Sequence, residues 1–139
     1  MATHRELSGQ LGRYSIIRKL GAGGMGSVYL AEDTVQSRQI ALKVPHLNLT
    51  TRHVMERFRR EATLASGLEH PHLCPVHSLE EVDGVLFFTM PYIEGTPLSR
   101  LIEPGKPWPV YEAVELVRKV ASAVEHLHRH GILHRDLKP

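Results

Sequence analysis

Cysteine is nearly absent: Cys74 stands alone among 139 residues. One thiol excludes an internal disulfide and fits a reducing compartment. Its expected role is that of a small buried hydrophobe rather than a reactive group. Long apolar runs are missing as well. The longest, such as 85–88, fall far short of the ~18 residues a membrane-spanning helix needs. Residues 1–12 are polar and lack the apolar stretch of a signal peptide, so they read as a flexible lead-in. The chain as written is expected to be cytoplasmic, with an anchor beyond residue 139 left open. Nor does one charge dominate: 17 basic against 15 acidic residues leave a net +2. The basic residues are scattered, so neither nucleic acid nor a membrane surface is implied as a partner. There is no internal repeat and no low-complexity tract.

What is present is ordinary globular composition, 42% hydrophobic and 23% charged. That is enough for the core of one domain or of part of a larger one. The first half alternates with a period of two. Strands are expected over 14–20, 27–33 and 39–44, with Ile40, Leu42 and Val44 facing one way and Ala41 and Lys43 the other. A helix is expected over 51–68, its apolar stripe formed by Val54, Phe58, Ala65 and Leu68. Glu61 falls near the middle of that stripe. A carboxylate there is costly unless a partner meets it.

Two more strands are expected, over 76–82 and 85–90, joined by an Asp83-Gly84 turn. Thr96 reads as the N-cap, and Pro97 as the first position, of a short helix reaching Ile102. A last helix runs from 109 to about 130, with Gly131 just past its end. Nine residues from Ala113 to Leu127 give it an apolar arc of roughly 180°, more than the upstream strands would cover. Left uncovered, that arc favours association of the isolated chain.

Three features carry chemistry. The first is Gly21-Ala22-Gly23-Gly24-Met25-Gly26-Ser27-Val28, a G-x-G-x-x-G-x-V pattern. Glycines let bare backbone N–H groups approach phosphate oxygens. Dinucleotide-binding loops share the pattern but open a helix, whereas here a strand-like run continues. An ordinary glycine-rich hairpin turn is the plainer reading of this segment alone. The second is Lys43 with Glu61, 18 positions later. An inward ammonium needs an anion, an inward carboxylate needs a cation, and each accounts for the other. The third is His134-Arg135-Asp136-Leu137-Lys138-Pro139. An aspartate on such a loop can accept the proton of an attacking hydroxyl, and Lys138 can neutralise a phosphate as charge shifts. The plainer reading is a solvated charged turn.

Taken together and in this order, the glycine loop, Ile40-Ala41-Leu42-Lys43, Glu61 and His-Arg-Asp-Leu-Lys-Pro resemble the eukaryotic-type protein kinase signature set. The glycine-loop region is most similar to the bacterial serine/threonine branch. The resemblance implies an α+β fold: a five-stranded antiparallel small lobe with one regulatory helix over residues 13–90, a hinge at 91–97, and the start of a helical large lobe at 98–139. It further implies that Leu20, Val28 and Ala41 enclose an adenine while Gly21, Gly23 and Gly26 arch over the phosphates of ATP. Lys43 would hold the α- and β-phosphates, and Met90 would be the gatekeeper. The Pro91 carbonyl and the Ile93 N–H would serve the adenine edge. Proline departs from the glutamate frequent at that place, but only a carbonyl is needed. Asp136 would be the catalytic base acting on a serine or threonine of a protein substrate.

The family's catalytic-loop asparagine and D-F-G aspartate, which hold Mg2+, would fall past residue 139, so no metal ligand is expected within this chain. The 139 residues alone are therefore expected to lack appreciable phosphotransfer. Two rivals are a non-catalytic pseudokinase scaffold, which the intact Lys43, Glu61 and Asp136 oppose, and a small-molecule phosphotransferase, in which glycine usually replaces Arg135. Zinc binding is suggested by His126 and His130 at i, i+4 spacing. With no third ligand in the pattern, solvated histidines are expected instead, and His134 is expected to serve packing.

Overall fold

The computed structural model describes residues 7–24, 26–46, 52–134 and 137–138. Its residues fall into two compact units, Met1–Gly67 with Pro75–Ile93, and Leu68–Cys74 with Glu94–Pro139. The first unit carries a six-stranded antiparallel sheet. Its strands are β1 (Gly9–Leu11), β2 (Tyr14–Gly23), β3 (Gly26–Asp33), β4 (Arg38–Pro45), β5 (Ser78–Val82) and β6 (Val85–Pro91), ordered β1-β2-β3-β4-β6-β5. Helix α1 (Arg52–Ala65) lies between β4 and β5 in sequence.

One strand more than the expected five is present. Residues 9–11, read as part of a flexible lead, pair with residues 14–16 of β2. Leu11 is buried beside Tyr14, and Gly12 turns the chain at φ 56. The three-residue strand is too short for alternation to reveal. By contrast, the Asp83-Gly84 turn is found as expected. Both residues take positive φ, 51 and 76, which matches the twist of a tight hairpin.

Alternation along the strands sorts side chains into two cores. Tyr14, Tyr29, Ile40, Leu42, Val44 and Phe87 pack on one face. Leu86 and Phe88 point the other way, against Phe58 and Ala62 of α1. The Phe58 and Phe88 rings lie 5.0 Å apart. Lys43 sits opposite Phe88 in the β4–β6 register, so α1 covers the Lys43 side of the sheet. The helix stops at Ala65, short of the expected Leu68. Thr63 and Ser66 turn their hydroxyls onto carbonyls within this stretch, and Gly67 follows. Such local bonds compete with helix continuation. Leu68 is buried, but in the second unit.

The second unit holds α2 (Leu98–Leu101) and α3 (Val110–Arg129). The expected Thr96 cap is not used. Pro97 takes that place with ψ 139, outside helical geometry, and no side chain caps the turn. The end of α3 matches expectation: Gly131 at φ 72 donates to the His128 carbonyl and Ile132 to the Leu127 carbonyl, the paired bonds of a glycine-terminated helix. Of the apolar arc on α3, Ala123 and Leu127 are buried while Val114, Val117 and Val120 are open at 57%, 65% and 41% exposure. Among the described residues no helix is long and apolar enough to cross a membrane.

Candidate functional site

The glycine segment forms the tip of the β2–β3 hairpin, with Gly21 paired to Val28, Ala22 to Ser27 and Gly23 to Gly26. Met25 lies outside the described residues. Two register shifts, between Ile16 and Arg18 and between Lys19 and Gly21, fall just before the tip. Bulges of this kind bend and twist the strand that carries them. No sequence pattern announced them.

The glycines divide into two kinds. A Cβ added to Gly21, Gly23 or Gly24 would meet nothing within 4 Å, whereas one on Gly26 would stand 2.2 Å from the Val44 carbonyl oxygen. Gly26 is thus demanded by strand packing, and the open glycines leave bare backbone facing solvent. Gly26→Ala is expected to destabilise the first unit by about 1–3 kcal/mol, and Gly23→Ala by much less. Urea denaturation of the two variants checks this, and equal midpoints would contradict it.

Lys43 and Glu61 meet as their residue types required. Nζ donates to Glu61 Oε1 at 2.7 Å, with the side chains 20% and 35% exposed. The ammonium also lies 5.4 Å from the Phe88 ring centroid. Glu61 Oε2 is buried and has no hydrogen-bond partner among the described residues. Sequence reasoning missed Phe88, although the alternation of β6 was its signal. The Phe88 ring thus meets both the lysine ammonium, which lies over it, and the Phe58 ring of α1.

The register arranges the remaining expected residues around this pair. Val28 lies beside Lys43, and Ala41 beside Met90. Ala41 is buried, Val28, Met90 and Pro91 are half-buried, and Leu20 and Ile93 are exposed. Val28, Ala41 and Met90 share the Lys43 face of the sheet, whereas Pro91, paired with Ile40, has the opposite parity and Ile93 lies past the end of β6. Ser27 departs from the set. It pairs with Val44, is buried, and shares the opposite face of the sheet with Tyr29. Lys138 is exposed, and Arg135 and Asp136 lie outside the described residues.

Cys74, expected as a buried hydrophobe, is exposed by surface area. Atoms around its sulfur nevertheless push the thiol above its ordinary value, which disfavours the nucleophilic thiolate. Among the described residues no group of three or more His, Cys, Asp or Glu is placed to hold a metal ion. His126 instead lies in a row of rings, 5.2 Å from His70 and 4.6 Å from His130. His70 has both nitrogens engaged: Nδ1 accepts from the His72 N–H and Nε2 donates to Ser122 Oγ.

Burial first, then His130, His70 and Arg129, lower the His126 pKa below 6.5. A depressed value means the unfolded chain binds the proton more readily. The contribution to stability is therefore present above about 6.5 and is lost as pH falls through the folded value. Thermal melts at about pH 7.5 and about pH 5.5 are expected to show a lower midpoint in acid. His126→Phe should flatten that dependence, and an unchanged slope in the variant would contradict the assignment.

With this geometry in place, comparison with known proteins gives the class. Residues 14–139 match the family described as Protein kinase domain. The chain belongs to that family, and its α+β fold is that of the kinase N-terminal lobe with the helices that follow it. It is similar to the serine/threonine-protein kinase PrkC of Bacillus subtilis, 40% identical over 92% of this chain and 20% of the relative. It is equally similar to the serine/threonine-protein kinase PknD of Mycobacterium tuberculosis, 40% identical over 96% of the chain and 20% of the relative. The crystal structure of the Mycobacterium tuberculosis PknI kinase domain superposes with a TM-score of 0.80 at 34% identity, covering 96% of this chain and 56% of that one. The chain thus spans about a fifth of the curated relatives' length.

Proposed function

We propose that this chain forms the ATP-holding part of a protein serine/threonine kinase. The observation that carries the reading is the 2.7 Å Lys43–Glu61 pair on the sheet face beside the glycine hairpin. A half-buried ammonium held by one carboxylate oxygen keeps donors free for a second anion, and nucleotide phosphates supply it. Open glycine backbone beside it offers N–H groups to the same phosphates. Leu20, Val28 and Ala41 form an apolar lining suited to a flat base. Met90 closes its inner edge, and the Pro91 carbonyl and Ile93 N–H face the base's polar edge.

In the reaction, a serine or threonine oxygen of a protein bonds to the γ-phosphorus, the bridging P–O bond to the β-phosphate breaks, and ADP leaves. Asp136 takes the hydroxyl proton and Lys138 offsets the charge that develops on the transferred group. Mg2+, when bound, would offset the negative charge of the phosphates. The family positions for its ligands, an asparagine and the D-F-G aspartate, are not among these 139 residues.

Accordingly, the polypeptide of these residues is expected to bind ADP and ATP without transferring phosphate. Titration calorimetry with ADP tests the first part. Incubation with γ-labelled ATP, Mg2+ and a serine-rich protein tests the second. No heat of ADP binding would refute the site, and labelled product would refute the inactivity.

A further inference from the structure

The end of β4 reaches back to the tip of the glycine hairpin. Pro45 pairs with Gly26, and Gly26 pairs with Gly23. The residue after Pro45 therefore lies beside the last rung of the β2–β3 ladder. That residue is His46, and its Nε2 is 2.6 Å from the Gly23 carbonyl oxygen. A carbonyl can only accept, so Nε2 must carry the hydrogen. Both the Nε2–H tautomer and the imidazolium satisfy this, so the contact survives either charge state. Strand spacing is tight at this point, where only glycine fits at 26 against the Val44 carbonyl.

At the tip β3 is held on both sides, but the β2 arm is laddered to β3 alone and lies beyond two register shifts, so it is the poorly constrained side. We infer that His46 is a positioning residue for the nucleotide: its imidazole N–H clasps the Gly23 carbonyl and holds the glycine hairpin in the shape that closes over phosphates. The inference rests on the ATP reading above. His46 acts through the Gly23 backbone rather than on the reacting atoms. Holding the tip beforehand lowers the ordering cost of binding. Only ligands that carry phosphates should feel it, because the base lies against Leu20, Val28 and Ala41 rather than under the tip.

The test uses the 139-residue chain as wild type, His46→Ala and His46→Gln, since glutamine can present a neutral N–H over a similar reach. Without nucleotide, amide exchange across residues 21–24 should be about three- to tenfold faster in His46→Ala and recover in His46→Gln. ADP affinity should fall by about three- to tenfold in His46→Ala while adenosine affinity stays unchanged. Unchanged exchange would overturn the clasp. Equal losses for ADP and adenosine would overturn the positioning role and mark His46 as a packing residue only. A wild-type chain that binds no ADP would sink the ATP reading and the positioning role with it. The exchange difference would still show whether the clasp exists, so the two failures are told apart.

Discussion

Lys43→Met is expected to weaken ADP binding roughly tenfold to a hundredfold, the range of one charge-assisted hydrogen bond lost from a half-shielded site. Adenosine affinity should hardly change, because the methionine stem keeps the apolar volume below the base. Stability should move little. The pair is 20% and 35% exposed, and solvent screening reduces such a pair to within about 1 kcal/mol. Glu61 would then be left with neither oxygen paired to Lys43, its Oε2 already lacking a described partner. Calorimetric titration with ADP and adenosine, beside a thermal melt, separates these effects. Equal loss of both ligands, or a large drop in melting temperature, would show Lys43 to be structural rather than phosphate-directed.

Phe58→Ala should be the most damaging core change. Phe58 is 1% exposed and packs with Ala62, Val76, Leu86 and Phe88. Removing a fully buried aromatic side chain costs about 3–5 kcal/mol, against a total of about 5–15 kcal/mol for a whole domain. The effect reaches function because Phe58 is the largest of the α1 side chains that pack in this cluster, beside Met55, Ala62 and Ala65. Glu61 lies one turn after Phe58, so loosening the helix withdraws the carboxylate from Lys43. Phe58→Leu refills most of the cavity and should recover most of the stability. Urea denaturation measures the loss, and nucleotide titration below the transition measures its consequence. A cost under about 1 kcal/mol would mean that α1 is not held through this ring.

The parts of the site that are legible in the sequence are those where local pattern and chemistry coincide. Lys43 stands out because strand alternation placed a charge opposite Ile40, Leu42 and Val44. Glu61 stands out because a helix stripe placed a charge among apolar residues. Neither needed a contact to be seen, since an unpaired inward charge announces a missing partner. Gly131 and Asp83-Gly84 were readable for a similar reason, because few residues tolerate positive φ.

What stayed hidden depends on tertiary register. The edge strand Gly9–Leu11 is too short to show a period. The β2 bulges show up only when β2 is laid against β3. Which glycine is packed depends on the β3–β4 register that sets Gly26 against the Val44 carbonyl, so the G-x-G-x-x-G pattern alone could not separate Gly26 from Gly21 and Gly23. Ser27 belongs to the glycine-loop motif, yet parity turns it to the opposite face of the sheet. His46 has no local signal at all, because its partner lies 23 residues away across two strands. Cys74 illustrates the opposite error: a residue type that is commonly buried was placed by composition, and the segment around it is exposed.

The central claim is that nucleotide phosphates sit against the Lys43 ammonium beneath the glycine hairpin. An ATP derivative bearing an acyl group on its terminal phosphate tests this directly: a lysine amine beside the phosphates attacks the acyl carbon, forms an amide and releases ATP. Mass spectrometry of the labelled chain should find the acyl group on Lys43, with labelling suppressed by excess ATP but not by adenosine monophosphate at the same concentration. Labelling confined to Lys19, Lys106 or Lys119, or labelling of Lys43 that ATP leaves untouched, would contradict the account.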